Sequence, residues 1–229
     1  MRALLVVLLL LAGLALVADR VGEEVAEAQV GQVVAERAGL TGAPEVEIGG
    51  FPFLTQAAGG RYQEVRISLG AADLGQPEGV LVDVSLRGVE VALSDVLSGS
   101  VQEVPVERVD GAATLSYALL AEQLSPGATL AREGDRVRVE RTVDVAGLTL
   151  PLTAVGTVAL VDGVLVVDVE EASSGGVDVP GRLVDQVTDA LDLRYELPAL
   201  PFGLQVVGVA VGDDGVRIAV EATDTVLRG

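Results

Sequence analysis

Alternation of aliphatic and polar residues over most of the chain is the feature that most limits its fold. Residues 65–69 read Val-Arg-Ile-Ser-Leu, and the same period recurs in segments 80–86, 137–145, 150–160, 165–169, 207–211 and 216–220. A period of two places one face of a strand against a core. The turns at 161–164 and 212–216 each contain Asp-Gly, a tight hairpin signal. The pattern therefore predicts an antiparallel sheet built largely from hairpins.

The alternation changes phase once, at a glycine. Before Gly88 the apolar residues are Val80, Val82, Val84 and Leu86, and after it they continue from Val89. A one-residue slip at a glycine is typical of a β-bulge, which bends the strand that carries it. We therefore expect a long, curved strand at this point.

Two short helices interrupt the strands. Ser116 is placed to cap a helix over 117–124, which Pro126-Gly127 would stop. Segment 180–197 carries apolar residues on one face and Asp185, Asp189 and Asp192 on the other. The prolines of the next stretch, 197–203, predict irregular backbone there. The chain is thus predicted to be α+β, with a curved antiparallel sheet in residues 43–229 as a single domain.

The N-terminal segment predicts export. Arg2 precedes a run from Ala3 to Ala18 that contains no charged or polar side chain. As a helix this run is roughly 24 Å long, against a bilayer core of about 30 Å. It is short for a span and slightly long for the hydrophobic region of a signal peptide, and Leu16 occupies the −3 position for cleavage after Ala18. Residues 1–18 are therefore a signal peptide or a membrane anchor, and the remainder is expected outside the cytoplasmic membrane.

Residues 19–42 predict an amphipathic helix. Val21 and Val25 together with Val30, Val33 and Val34 recur at spacings of three and four. Asp19 is placed as its N-cap, and Gly39 or Gly42 as its end. Because this apolar face is modest, we expect it to pack on another part of the protein.

Composition excludes several classes of function. The chain lacks Cys, His, Lys, Asn and Trp, so thiol chemistry, Ser-His-Asp triads and Ser-Lys dyads cannot be built. A zinc site would need carboxylates alone, and no cofactor is predicted. The net charge of −19 argues against nucleic acid and against electrostatic adsorption to an anionic membrane. Lipid contact, if any, is expected through apolar surface.

All three phenylalanines lie beside prolines, in Phe51-Pro52-Phe53 and in Pro201-Phe202. Such rings either fill gaps at sheet corners or line a common apolar cavity. On the second interpretation a groove for acyl chains is lined by six residues drawn from the two stretches: Phe51, Phe53, Leu54, Tyr62, Phe202 and Leu204.

The stretches "VEIGGFPFLTQAAGGRYQEVRISL" and "LPALPFGLQVVGVAVGDDGVRIAVEATD", with "GVEVALSDVL" and "ERVDGAATLSYALLAEQL" between them, resemble the LmeA-like phospholipid-binding proteins of the actinobacterial cell envelope. The resemblance covers roughly residues 43–225. It implies a TULIP-like (bactericidal/permeability-increasing-like) fold, in which a curved sheet wraps a helix beside an apolar groove. It also implies phospholipid binding and a link to envelope lipoglycan maturation.

A phosphate headgroup would prefer arginine at the rim of such a groove. Arg61 and Arg66 lie next to the first Phe-Pro stretch, and Arg141 interrupts an apolar face. Arg132, Arg136 and Arg138 cluster with it on one hairpin. The competing interpretation is that Glu133, Asp135 and Glu140 pair with this cluster on a solvated surface.

Enzyme interpretations are weaker. Chance pairs of carboxylates exist, but no spacing selects one as a hydrolase site. Asp168–Glu171 and Asp213-Asp214 lack the spacing of a calcium loop. We therefore expect a non-enzymatic, extracytoplasmic lipid-binding protein for a phospholipid or polyprenyl-type lipid, secreted or attached to the membrane by its N-terminal segment. The alternatives are an accessory protein that binds an envelope glycosyltransferase and, below it, a carboxylate-dependent hydrolase.

Overall fold

The computed structural model of the protein describes residues 2–74, 79–124, 127–145, 148–161, 164–174, 177–178, 194–196 and 203–228. These residues contain four helices: α1 (Arg2–Ala38), α2 (Phe53–Gly59), α3 (Leu93–Ser98) and α4 (Tyr117–Leu124). The strands are β1 (Glu45–Gly49), β2 (Arg61–Gly70), β3 (Val80–Glu90), β4 (Glu103–Ser116), β5 (Thr129–Glu133), β6 (Arg136–Val145), β7 (Leu148–Val161), β8 (Val164–Ser174), β9 (Val177–Asp178), β10 (Arg194–Glu196), β11 (Gln205–Val211) and β12 (Gly215–Arg228).

The strands form two antiparallel sheets, where the sequence predicted one. The first has the order β1-β2-β3-β4-β12-β11, and the second has the order β10-β8-β7-β6-β5 with β9 beside β8. The α+β class and the antiparallel pairing are confirmed. The prediction of a single sheet is wrong, because the chain continues from β4 into α4, and β4 does not pair with β5.

The hairpins predicted from short turns are present. Val161 pairs with Val164 at the β7–β8 turn, and Val211 pairs with Val216 at the β11–β12 turn. The helix predicted over 117–124 is confirmed as α4, and the Ser116 hydroxyl accepts a hydrogen bond of 3.2 Å from the Leu119 N–H. Of the helix predicted over 180–197, the structure describes residues 194–196, which form strand β10, so the prediction is wrong there. The rest of that segment and most of the proline-rich stretch lie outside the described residues.

The phase change at Gly88 is real, but it is not a bulge. Leu86 and Val89 are both buried, three positions apart. Arg87 pairs with Arg108 and Val89 with Val106, so the register on the two sides is the same and no residue is inserted. Instead, one row of residues across β2, β3, β4 and β12 is left out of the strand pairing: Gln63, Gly88, Glu107 and Asp224. In that row Gly88 and Asp224 have positive φ, 61° and 48°, and this backbone conformation reverses which face of the sheet the next side chains occupy.

Helix α1 runs without a break through the point where the sequence predicted a boundary. Its bounds, Arg2–Ala38, make Asp19 an interior residue, so the prediction that Asp19 caps a new helix is wrong. The end is as predicted, because Gly39 follows with a φ of 64°. From Leu4 onward α1 contains an apolar window long enough to cross a membrane, a property that signal sequences share.

Buried residues form two hydrophobic clusters. One joins α1 to strands of the first sheet and includes Ala26, Ile48, Phe53 and Tyr62. The other lies where α4 and the ends of β4 and β12 meet the second sheet, around Val137, Val139 and Val216. The long strands β4 and β12 contribute to both clusters and so connect them.

Candidate lipid-binding cavity

The face of α1 that meets the first sheet is set by helical spacing. Asp19, Ala26 and Gly31 are buried, and Val30, Val33 and Val34 are half-buried. Val21 and Val25, which the sequence predicted on this face, are exposed. At 100° per residue they lie on the side of α1 away from Ala26 and Val30. The packed stripe is therefore narrower toward the N-terminus than predicted.

A cavity of about 380 Å³ lies between the C-terminal half of α1 and the first sheet. That volume is within the range of about 300–1,000 Å³ typical of small-molecule sites. The helix contributes Ala26, Val30, Val33, Val34, Arg37 and Ala38, and the strands and loops contribute Ile48, Tyr62, Val65, Ile67, Leu86, Val89, Val91, Leu93, Val96, Val101, Gln102, Val104, Leu227 and Arg228.

The walls of this cavity are almost entirely aliphatic. Tyr62 is its one aromatic lining residue, and the other polar or charged members are Arg37, Gln102 and Arg228. A surface of branched aliphatic side chains offers dispersion contact and no directional hydrogen bonds. It therefore suits a hydrocarbon tail, each buried methylene of which gives about 0.8 kcal/mol.

Two arginines border the cavity at the C-terminal end of α1. The Arg37 guanidinium donates a hydrogen bond of 2.9 Å to the carbonyl oxygen of Gly99, beside α3. Arg228, near the end of β12, donates one of 3.0 Å to the carboxylate of Glu103. Both side chains are exposed. Their positive charge stands out in a protein whose net charge is −19.

Phe53 lies behind Tyr62 and supports it. Phe53 is 1% exposed, and its ring centroid is 6.3 Å from that of Tyr62. Burial raises the pKa of the Tyr62 phenol, because the charged phenolate would lose hydration. Phe53 therefore belongs to the core beneath the cavity wall, and Tyr62 to the wall itself.

Phe51 and Leu54 point elsewhere. They are 57% and 45% exposed, on the loop before α2 and on α2 itself. Leu204 is partly buried against the same cluster as Phe53. Phe202 lies outside the described residues. Of the six side chains predicted to line a groove, the structure thus brings Tyr62 to the cavity, and a lipid contact for the other five stays a prediction.

The predicted headgroup arginines lie away from the cavity lining. Arg61 forms ion pairs with Glu90 and Glu107, and Arg66 with Glu47 and Glu64. Arg141 is half-buried on β6, opposite Leu152. Their part in headgroup binding stays a prediction.

Arg132, Arg136 and Arg138 on the β5–β6 hairpin are paired with acids, but in the described part of the chain only Arg138 pairs with acids that the competing interpretation named. Arg138 pairs with Glu133 and Glu140, while Arg132 and Arg136 pair with acids from other strands and turns, namely Asp213, Glu170 and Glu171. Hydrogen bonding to Arg138 lowers the pKa of Glu133. Within the described residues no three His, Cys, Asp or Glu side chains are grouped to hold a metal ion.

A second depression, of about 580 Å³, lies between α4 and β5. It includes Tyr117, Glu122 and Thr129, so its lining is mixed in polarity. The α1 cavity is the better match to an acyl chain.

Sequence reasoning missed Arg37, Arg228 and the loop residues at the mouth of the α1 cavity. The available signal was the α1 triplet Val33, Val34 and Arg37, in which a cation follows the apolar stripe by one turn.

The family model described as LmeA-like phospholipid-binding matches residues 17–221. That range contains α1 from Val17 onward, the strands up to the first half of β12, and the cavity lining except Leu227 and Arg228. No curated protein and no solved structure gave a significant match.

Proposed function

Because the chain belongs to the LmeA-like phospholipid-binding family, we propose that it is a lipid carrier that holds an acyl chain in the cavity between α1 and the first sheet. The observation that supports this most directly is the aliphatic lining of the cavity. Val30, Val65 and Val89, with the other lining residues already named, supply the apolar contacts that a hydrocarbon tail needs.

Binding would rest on shape and apolar burial. At about 0.8 kcal/mol per buried methylene, ten buried methylenes give about 8 kcal/mol, against an association cost of at least about 4 kcal/mol. The exposed end of the lipid would meet Arg37 and Arg228 at the mouth. The guanidinium group of arginine can donate two parallel hydrogen bonds to phosphate oxygens. The headgroup we propose is therefore a phosphate ester, as in a phospholipid or a polyprenyl phosphate.

The proposed site of action is outside the cytoplasmic membrane. The uncharged run to Ala18 supports export, and it also supports attachment to the membrane if it is retained. We propose a non-catalytic role, with a TULIP-like arrangement in which α1 takes the place of the wrapped helix. An accessory role for an envelope glycosyltransferase would use the same cavity for a partner's apolar segment.

The test is to identify what the cavity contains. The full-length protein is purified from its own membranes in a detergent of distinct mass, and native mass spectrometry is followed by lipid extraction. A stoichiometric phosphate-containing lipid is the expected result. A cavity that holds only detergent, combined with capture of an envelope enzyme, would favour the accessory role. Turnover of a glycolipid that is lost on changing one carboxylate would favour a hydrolase.

A further inference from the structure

Two exposed apolar side chains lie beside α1 close to the end of its uncharged run. Phe51 and Leu54 are 57% and 45% exposed. On α1 itself Val21 and Val25 are exposed, as are the large apolar residues from Leu4 to Val17. We call Arg20, Val21, Val25, Phe51 and Leu54 the docking patch. It continues the apolar surface of α1 onto the folded domain.

The position of α2 against α1 is fixed by buried contacts. Asp19, which is 3% exposed, accepts hydrogen bonds of 3.0 Å from the Phe53 N–H and 2.8 Å from the Leu54 N–H. A Cβ at Gly22 would lie 3.4 Å from a Leu54 methyl carbon, which is ordinary packing distance. The first turn of α2 is therefore held at the level of residues 19–22 of α1.

A cation completes the patch. The Arg20 guanidinium carbon lies 5.8 Å from the centre of the Phe51 ring, and the same side chain pairs with Glu23. An arginine beside an aromatic ring is characteristic of the boundary between hydrocarbon and headgroups, where the ring is partly dry and the cation reaches phosphates.

We propose that the docking patch rests in the interfacial layer of a lipid bilayer, with α1 entering the membrane beside it. Arg20 lies about 3 Å and Val21 about 5 Å along the helix axis beyond Ala18. The interfacial layer on each side of the hydrocarbon is about 5–8 Å thick, so both lie within it, and Val25, at about 10 Å, lies just outside it, where the patch ends. Arg20 and Phe51 then lie at headgroup level, and the domain stands directly on the membrane.

Charge does not drive this contact. Glu24 is exposed on the adjacent turn of α1, and the whole chain is strongly acidic. An anionic surface would therefore repel the protein, whereas insertion of Phe51 and Leu54 works on a zwitterionic one. We expect contact with vesicles of phosphatidylcholine alone, and no gain from anionic lipid.

The chain contains no cysteine, so single thiols can be introduced for a direct test. Leu54→Cys in the full-length protein is labelled with a polarity-sensitive fluorophore and reconstituted in phosphatidylcholine vesicles. The matched control is Leu97→Cys on α3, which is 54% exposed and lies near Arg37 and Gly99 at the other end of α1. We expect several-fold weaker iodide quenching at residue 54 than at 97, with quenching at 54 by spin-labelled lipids. Equal iodide quenching at both sites would overturn the proposal.

A second comparison separates the patch from the helix that anchors it. The label is placed at Val21→Cys, and Phe51→Ser is added. Because Phe51 is exposed, this change leaves the core intact. If the patch holds the domain on the bilayer, iodide quenching at residue 21 rises several-fold in the double variant. If quenching is unchanged, α1 alone sets the position and the proposal fails.

Discussion

Asp19 accepts a hydrogen bond of 3.0 Å from the backbone N–H of Phe53, which lies 34 residues later in the chain. A second bond joins the same carboxylate to the N–H of Leu54. These N–H groups belong to the first turn of α2, which has no side-chain cap of its own because Pro52 occupies the N-cap. A carboxylate on one helix thus caps another, at the junction between the apolar run of α1 and the folded domain.

Asp19→Ala is expected to destabilise the domain by about 1–3 kcal/mol, because it leaves two first-turn donors without their buried acceptor. Asp19→Asn should cost less, since its amide oxygen can still accept one bond. Urea unfolding gives the free energies, and hydrogen exchange at Phe53 and Leu54 locates the effect. Glu24→Ala, on the exposed side of α1, is the control. Unchanged exchange at these two amides would contradict the capping role.

Gly88→Ala is expected to cost about 1–2 kcal/mol, because Gly88 has a φ of 61° and a side chain there is strained. A Cβ would also meet the side chain of Glu107 at 2.3–2.6 Å, although Glu107 is exposed and able to move. Gly208→Ala on β11, where a Cβ meets only a methyl group at 4.0 Å, is the matched control. Equal unfolding midpoints for the two variants would show that the Gly88 row tolerates an ordinary residue.

Local patterns in the sequence predicted the elements that depend on near neighbours. The Asp-Gly turns, the capping of α4 by Ser116 and the phase change at Gly88 all involve residues close in the chain. What failed was pairing over long separations. The capping bond to Asp19, the separation into two sheets and the presence of Arg37 and Arg228 in the lining of one cavity depend on contacts that no local period encodes.

The same limit explains the outcome at the site. Tyr62 was predicted as part of the first Phe-Pro stretch, and it does line the cavity. Phe53 is an aromatic residue of the same stretch, but it lies behind Tyr62 in the core. Only the packing of α2 against α1 places the two rings differently. To predict the aliphatic wall contributed by α1, one would have to know which side of the helix meets the sheet.

Val30→Phe is expected to reduce the lipid that co-purifies with the protein, because the larger side chain on α1 enters the cavity. The free volume should accommodate the ring without overpacking, so the unfolding free energy should fall little. Quantitative lipid extraction per mole of protein is the measurement. Leu81→Phe, at an exposed position of β3 in the same sheet, should retain the wild-type lipid content. Equal lipid content in both variants would place the lipid somewhere other than this cavity.

Arg37→Gln and Arg228→Gln are each expected to weaken binding of a phosphate-bearing lipid by about tenfold, which corresponds to the loss of one charge-assisted hydrogen bond of about 1.4 kcal/mol. Binding of a neutral lipid with the same acyl chains should change little. Arg66→Gln, which removes a side chain paired with Glu47 and Glu64, provides the comparison. If Arg66→Gln alone weakens binding, the headgroup lies beside the first Phe-Pro stretch, as the sequence had suggested.

Tyr62 offers a pH-dependent signal from the cavity wall. Burial raises the pKa of Tyr62 above its ordinary value of about 10. A raised pKa means that the folded state holds the phenol proton more tightly than the unfolded state does. This contribution to stability is therefore complete below pH 10 or so, and it is lost as pH rises through the folded-state pKa. A lipid that covers the phenol should raise the pKa of Tyr62 further, because it removes more water. Burial also raises the pKa of Tyr117, which lies outside the cavity lining.

Tyrosinate absorbance across an alkaline titration, in lipid-loaded and delipidated protein, measures this effect. Subtracting the curves of Tyr62→Phe and Tyr117→Phe assigns each transition to its residue. Loading should move the Tyr62 transition to higher pH and leave that of Tyr117 in place. A shift of both transitions would indicate a global change in stability, and a shift of neither would mean that the lipid does not contact the Tyr62 side of the cavity.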